Sequence, residues 1–304
     1  MDRVRREEVQ GRALPRRLAF LIPFKPRSAC SDWELAQANL RRTIRSVQRA
    51  SKDTSLIVVA CHDEPELADC EPGVEVQRVP FPPPPAGVVV EGGRDKARKR
   101  RFAAAWLRQE VGGDCYIMFL DADDLVHRDL PAYVLANEQG SYLVDAGYIL
   151  DASSGLHWRI RSGFGRICGS SFICAFREDE LPSAWDDDSA PFAQFGVRPD
   201  QRGHHEYADL AAELGRPPVR VPFPAVVYVA NHKESRWGQR TGRQRRPTWA
   251  RDLVWPRRSV RALRDDFGAP DLAARTAALP YVTGIAARTE ATRVAAAIRR
   301  LPSL

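Results

Sequence analysis

The chain has 304 residues, 44% of them hydrophobic, so it can bury a sizeable core as one large α/β domain or as one domain with an appendage. Lys and Arg number 46 against 39 Asp and Glu, and the formal net charge is therefore 46 − 39 = +7. This is the composition of a folded globular protein and excludes a disordered chain. The basic balance suits phosphorylated ligands or an anionic membrane surface, but the charge alone identifies no partner.

The spacing of the cysteines and the lack of long apolar stretches indicate the cellular compartment of the protein. The six cysteines show no CxxC spacing, and several lie in apolar segments where a buried free thiol is the ordinary state, so we expect reducing surroundings and no zinc site. Segment 1–17 is charged and lacks the apolar core of a signal peptide, and no stretch approaches the ~18 apolar residues of a membrane span. These features predict a cytoplasmic protein.

The first part of the chain alternates strands with helices. Leu18 to Pro23 predicts a first strand, and Ser31 followed by Glu34 predicts a capping box that opens an amphipathic helix. Two further strands, a helix and a fourth strand are predicted next, at residues 56–60, 74–79, 94–109 and 115–120. This alternation predicts a largely parallel sheet with a nucleotide-binding half.

Three carboxylates, Asp121, Asp123 and Asp124, directly follow the apolar strand that ends at Leu120. The carboxyl ends of buried parallel strands are where open α/β sheets place ligands. The mutual repulsion of these acids must be offset by donors or by a cation, and Mg²⁺ or Mn²⁺ on a substrate diphosphate would do this, because both prefer oxygen ligands. The motif predicts a nucleotide-diphosphate site. The structural alternative is that Asp123 or Asp124 caps a helix.

The order of these features resembles glycosyltransferase family 2 and related enzymes with the GT-A fold, over roughly residues 18 to 235. The resemblance implies an α/β domain with a Rossmann-like, mostly parallel central sheet flanked by helices. It also implies that Pro23, Phe24 and Lys25, after the first strand, lie against the nucleotide.

The resemblance implies further nucleotide contacts after the second strand and on the basic helix. Asp63 or Glu64 would match the family's acidic residue near the base. The family commonly has Ala-Arg-Asn on the helix before the acidic motif, and this chain has Ala97-Arg98-Lys99, so Arg98 would contact the nucleotide. The lysine departs from the family pattern.

The family's DxD pattern is met at Asp121 and Asp123, with Asp124 next. By resemblance, Asp121 would contact the ribose or nucleotide, and Asp123 would hold Mn²⁺ or Mg²⁺, a role that Asp124 could share. A departing nucleoside diphosphate gains negative charge, which a metal neutralises without proton transfer. In several family members a histidine after a later strand completes the metal or diphosphate site, and His232 is similar in position.

On the acceptor side, the resemblance implies a small-residue strand and a base. Residues 169–171, Gly-Ser-Ser, would let a sugar approach the backbone, although they could equally form an ordinary turn. Glu206 is the first choice for the base that deprotonates the acceptor hydroxyl. His205 is the second choice, because an imidazole pKa near ~6.5 suits proton transfer at neutral pH. The cluster at residues 186–188 is a weaker candidate for the base or for a lid.

The composition shifts after residue 235, where arginines recur and are interleaved with Trp249 and Trp255. This is the residue chemistry of a segment beside anionic lipid, or of nucleic-acid binding through phosphates and stacking. A solvated helix face is the more ordinary interpretation, and we expect no nucleic acid. The sequence thus predicts a charged segment 1–17, a domain over 18–235 and a basic helical extension over 236–304.

These features predict a metal-dependent glycosyltransferase that moves a sugar from a nucleotide-sugar donor to a hydroxyl acceptor, a glycan or a lipid-linked saccharide, with inversion. A lipid-linked acceptor would bring peripheral contact with the inner face of the membrane. The second class is a sugar nucleotidyltransferase, disfavoured because no Gly-rich phosphate loop with Arg or Lys follows the first strand. The third is a degenerate GT-A domain that acts as a binding scaffold.

Overall fold

The structure, a computed structural model, describes residues 15, 17–50, 55–67, 73–85, 89–195, 203–235, 263–268 and 287. Its main sheet has seven strands in the order β3-β2-β1-β4-β9-β6-β10. Four of the six neighbouring pairs in this sheet are parallel, and only β9 runs antiparallel to its two neighbours. The strands are β1 (Leu18–Pro23), β2 (Ser55–Cys61), β3 (Val74–Arg78), β4 (Cys115–Phe119), β6 (Ser141–Leu143), β9 (Phe172–Phe176) and β10 (Val219–Arg220).

Helices cover both faces of this sheet. Along β1, alternate side chains enter two separate cores: Leu18, Phe20 and Ile22 pack with helix α1 (Trp33–Ala50), and Ala19 and Leu21 face the other way. The second core holds α2 (Val89–Trp106), its π-helical continuation (Leu107–Val111) and α4 (Tyr207–Glu213). Strands buried on both faces must be apolar throughout, which explains the unbroken apolar runs of the sequence. The predicted α/β fold class with a mostly parallel central sheet is confirmed.

A second sheet of four strands lies in the order β5-β11-β7-β8. Its strands are β5 (Leu125–Val126), β7 (Gly147–Asp151), β8 (Leu156–Ile160) and β11 (Val226–Ala230), and α3 (Leu130–Asn137) follows β5. A helical turn at 263–267 packs Leu263 and Phe267 onto this sheet. This part of the predicted extension therefore contacts the domain. Most of the extension, including Trp249 and Trp255, and nearly all of segment 1–17 lie outside the described residues.

The start of α1 differs from the predicted capping box. The Asp32 side chain accepts a hydrogen bond from the Leu35 amide (3.0 Å), and Glu34 accepts one from Gln37 Nε2 (3.3 Å). The amides of Ser31 and Asp32 donate instead to Glu234, at 2.8 and 2.7 Å. A carboxylate that is distant in sequence but close in space satisfies these donors, which local sequence could not show. No helix in the described part of the chain is long and apolar enough to cross a membrane.

We expect a buried ion pair to be important for the stability of the main sheet. Arg216 Nη2 bonds both oxygens of Glu180, at 2.6 and 2.8 Å, and Arg216 Nη1 donates to the carbonyl of Ala175 in β9 (2.7 Å). Glu180→Ala leaves a buried guanidinium unpaired, so the free energy of unfolding in urea should fall by about 3–5 kcal/mol. Asp179→Ala, in the same turn but 72% exposed, is the matched control and should change stability little. Equal losses for both variants would contradict this assignment.

Candidate active site

The acidic motif emerges at the point where the strand order of the main sheet reverses. The strands β2 and β4 lie on opposite sides of β1, and Leu21 of β1 pairs with Phe119 of β4. Residues 23–25 and 121–124 therefore leave adjacent parallel strands at the same edge. In open α/β sheets, the crevice outside such a switch point is the usual ligand position.

Asp121 is paired with two cations from α2. Its Oδ1 lies 2.5 Å from Lys96 Nζ and 3.4 Å from Arg100 Nη2. Arg100 is buried, donates to the hydroxyl of Tyr207 (3.1 Å) and lies over the ring of Phe119 at 4.5 Å. Burial acts to raise the pKa of Asp121, but the charges of Lys96 and Arg100 outweigh it and hold the value at about 2. Asp121 is therefore ionised at every ordinary pH.

Asp123 is paired with His232 from the loop after β11. The distance from His232 Nε2 to Asp123 Oδ2 is 2.9 Å, and Asn39 Nδ2 lies 3.4 Å from His232 Nδ1. Nε2 therefore faces Asp123, and Asn39 contacts the other ring nitrogen. Arg42 in turn donates to Asn39 Oδ1. The structure thus brings together two of the three predicted metal ligands, one oxygen and one nitrogen.

Asp124 is withdrawn from the crevice. Its carboxylate is fully buried and accepts hydrogen bonds from Ser170 Oγ (2.6 Å), Cys168 Sγ (3.2 Å) and the Val229 amide (3.3 Å). Burial, reinforced by the charges of Asp123 and Asp121, raises the pKa of Asp124 well above its ordinary value. These contacts favour a structural role for Asp124, and its share in a metal site stays a prediction. Among the described residues, no group of three or more His, Cys, Asp and Glu side chains is placed to hold a metal ion.

On the basic helix, the cations that meet Asp121 are Lys96 and Arg100, which the sequence did not single out. Arg98 is exposed and lies over the ring of Trp185 at 5.7 Å. Lys96 and Arg100, four residues apart, share the face that looks onto Asp121, because side chains at i and i+4 lie on one side of a helix. Their spacing was visible in the sequence, but the orientation of the helix was not.

Lys99 is a buried structural cation. Its Nζ donates to Asp95 Oδ2 and to the carbonyl of Phe24, both at 2.7 Å, and the other oxygen of Asp95 lies 2.7 Å from His62 Nε2. This network joins α2 to the ends of β1 and β2. Phe24 therefore meets Lys99 through its backbone, while its side chain is buried.

The remaining residues predicted to bind the nucleotide surround the ends of β1 and β2. Lys25 pairs with the carboxylate of Glu234, and Asp63 accepts a hydrogen bond from the Arg27 amide (2.8 Å). Glu64 is exposed, and Pro23 ends β1 at the crevice edge. The structure gathers these side chains at one edge of the sheet, and their roles toward a nucleotide stay predictions.

The acceptor-side residues lie beside the Asp121 cluster. A Cβ added at Gly169 would lie 3.5 Å from Asp121 Oδ2 and 4.0 Å from both His204 Nδ1 and Lys96 Nζ. His204, which sequence analysis passed over, is thus the histidine next to Asp121, and His205 is exposed. Burial lowers the pKa of His204, and the charge of Asp121 opposes that shift. One oxygen of Glu206 is buried without a hydrogen-bond partner in the described structure.

Within the acidic cluster at 186–188, Asp187 makes hydrogen bonds with residues of its own loop. Asp187 accepts hydrogen bonds from the amides and hydroxyls of Ser183 and Ser189, at 2.6–3.0 Å. These bonds lower the pKa of Asp187 below the ordinary aspartate range. Asp188 pairs with Arg101. The contacts of both residues favour a structural role for this cluster.

No protein-family model matches the chain, and no curated protein matches it either. Among solved structures, the chain is similar to that of a protein from Desulfovibrio desulfuricans G20 that is provisionally identified as a nucleotide-diphospho-sugar transferase. The sequence identity is 12% and the TM-score 0.34, over 70% of this chain and 80% of that chain.

Asp124→Asn should change how stability depends on pH. Because the folded state raises the pKa of Asp124, its contribution to stability is complete below the unfolded carboxyl pKa of about 4 and is lost as pH rises toward the folded pKa. Asparagine does not titrate. The measurement is the free energy of unfolding from urea titrations at a series of pH values. The value for the wild type minus the value for Asp124→Asn should decrease as pH rises above about 4. Asp129→Asn, whose side chain is 65% exposed, is the control, and an identical slope in both variants would refute the assignment.

Proposed function

We propose that the protein is a metal-dependent glycosyltransferase that moves a sugar from a nucleotide-diphosphate sugar to a hydroxyl of a glycan or a lipid-linked saccharide. One observation carries this proposal: Asp121 and Asp123 leave the switch point of the sheet side by side and are paired in two different ways. Asp121 lies against Lys96 and Arg100, and Asp123 lies against His232. Such a division suits a ligand that has a polar nucleoside end and a diphosphate end.

The Asp121 side of the crevice would bind the nucleotide. A permanently ionised carboxylate accepts hydrogen bonds from hydroxyl groups, which a ribose supplies as a pair. The side chains of Lys96 and Lys25 are 27% and 30% exposed, so both can reach phosphate oxygens. Lys25 would then divide its contacts between the ligand and Glu234.

The Asp123 side would hold the cation. Asp123 and His232 fit a divalent ion that takes its remaining ligands from diphosphate oxygens and water, and the imidazole nitrogen favours Mn²⁺ over Mg²⁺. When bound, such an ion neutralises the charge that the leaving diphosphate gains. Asn39 supports this arrangement, because its contact with Nδ1 orients the histidine ring.

Glu206 is the proposed base. It would accept the proton of the acceptor hydroxyl while that oxygen forms a bond to the anomeric carbon, and the bond from this carbon to the diphosphate oxygen breaks. Attack opposite the leaving group inverts the anomeric centre. One carboxylate oxygen of Glu206 is buried and has no hydrogen-bond partner among the described residues. This supports the role of a base, since the oxygen is available to accept a proton.

Asp123→Ala should abolish metal-dependent nucleotide binding. In thermal melts with a panel of nucleoside diphosphates, each with and without Mn²⁺ or Mg²⁺, we expect wild-type Tm to rise only when metal and the preferred diphosphate are both present. Asp123→Ala should lose this rise, because the pair of ligands is broken. Asp129→Ala, an exposed acid six residues away, should keep it. No rise for any diphosphate with the wild type would overturn the proposed function.

Glu206→Gln should impair transfer without weakening donor binding. Loss of the base is expected to lower the transfer rate by about 10²–10⁴-fold, because the amide cannot accept the acceptor proton. The metal-dependent rise in Tm should persist, since donor and metal contacts are unchanged. His205→Ala removes the second-choice base, and because His205 is exposed this variant should transfer at near the wild-type rate if Glu206 is the base. Full activity of Glu206→Gln would rule out this base.

A further inference from the structure

The loop after β11 carries His232 and turns sharply. Asn231 has φ +60°, in the left-handed region that asparagine tolerates better than most residues. The amide of Ser235 donates to the carbonyl of His232 (2.9 Å), which closes the turn, and the His232 side chain is only 4% exposed. This short turn sets the position of the imidazole that faces Asp123.

The same turn is fastened to the start of α1 by Glu234. One oxygen of its carboxylate accepts hydrogen bonds from the Ser31 amide (2.8 Å), the Ser31 hydroxyl (2.5 Å) and the Asp32 amide (2.7 Å). Lys25 pairs with the other oxygen. The side chain is 2% exposed, so these charge-assisted contacts form in a largely water-free setting where they are strong.

Helix α1 holds the other side of the same histidine. Asn39, two turns after the helix start, contacts His232 Nδ1, and Arg42 donates to Asn39. The backbone of the 231–235 loop is therefore fixed to the N-terminus of α1, and the imidazole of that loop is fixed to the middle of α1. The two attachments together hold the loop and its imidazole against α1.

We propose that Glu234 is a positioning residue that fastens the 231–235 loop to α1 and so sets the His232–Asp123 geometry for metal-nucleotide binding. The consequence for binding rests on the proposed function, whereas the attachment of the loop does not. Glu34 stands at the capping-box position but accepts a hydrogen bond from Gln37, and the amides of Ser31 and Asp32 donate to Glu234 instead. A carboxylate from the metal-side loop thus caps the helix, which links α1 to the site.

Amide hydrogen exchange tests the attachment without donor or metal. In Glu234→Ala, amides of residues 31–35 and 231–235 should exchange at least about 10-fold faster than in the wild type, because their closed state loses its buried acceptor. Glu234→Gln keeps one acceptor oxygen and should give an intermediate increase. Exchange in β1 and β4 should stay at wild-type rates, which shows that the variants are folded. Unchanged exchange at both segments in Glu234→Ala would overturn the proposal.

Metal titration tests the consequence. The Mn²⁺ concentration that half-saturates nucleoside diphosphate binding should rise about 10–100-fold in Glu234→Ala, the range typical of losing a supporting group behind a metal ligand. At saturating Mn²⁺ the maximal transfer rate should be largely restored, and Glu110→Ala, an exposed glutamate, should match the wild type. Faster exchange with an unchanged Mn²⁺ requirement would overturn the positioning role and leave Glu234 as a helix cap alone. A wild type that binds no metal and nucleotide would instead refute the proposed function, and the exchange data would still decide the attachment.

Ser31→Ala separates the hydroxyl contact from the rest of the attachment. Removal of one donor should increase exchange in both segments less than Glu234→Ala does. In the Glu234→Ala background the same change should add little, because two residues in direct contact are coupled. Fully additive effects on exchange would contradict a shared attachment.

Discussion

Three carboxylates at one edge of a sheet cannot stay close together unless each has its own compensation, and much of the site follows from this constraint. Asp121 has two cations, Asp123 has an imidazole, and Asp124 has hydroxyl, thiol and amide donors together with a raised pKa. The Ser170 hydroxyl connects two of the three acids, because it accepts a hydrogen bond from the Asp121 amide (2.9 Å) and donates one to the Asp124 carboxylate. The acids thus differ in charge, exposure and direction although they are neighbours in sequence.

The double covering of the main sheet makes this compensation possible. Because α1 and α2 pack on opposite faces, α2 can bring Lys96 and Arg100 to Asp121 while α1 brings Asn39 to the histidine that meets Asp123. The second sheet contributes through the loop after β11, which delivers His232. A sheet covered on one face only would lack either the cations that meet Asp121 or the amide that contacts His232. At this edge of the sheet, the packing of the helices therefore decides which groups compensate the carboxylates.

Local pattern was enough to predict the layers of the fold but not the partners within the site. Apolar runs of five or six residues predicted β1, β2 and β4, and a helical apolar face predicted α1, because burial imposes those patterns. The short strands β6 to β8 and the helix α3 carry too little periodicity for such a prediction. Which basic side chains and which histidine lie next to Asp121 depends on helix orientation, which packing decides, so Lys96, Arg100 and His204 were not singled out from the sequence. Glu234 reaches a helix start some 200 residues earlier, and no local rule contains that contact.

The carboxylates of the site are more exposed than two of the groups that pair with them, which favours a ligand that carries a cation. Asp121 and Asp123 are 24% and 27% exposed, whereas Arg100 and His232, which support them, are only 3% and 4% exposed. A ligand entering the crevice therefore meets carboxylate oxygens before it meets these two partners. A bare diphosphate would be repelled there, and would depend on the more exposed Lys96 and Lys25 alone. Under the proposed function, a nucleoside diphosphate with its divalent ion would present positive charge to Asp123 and ribose hydroxyl groups to Asp121, so metal and nucleotide should each raise the affinity for the other.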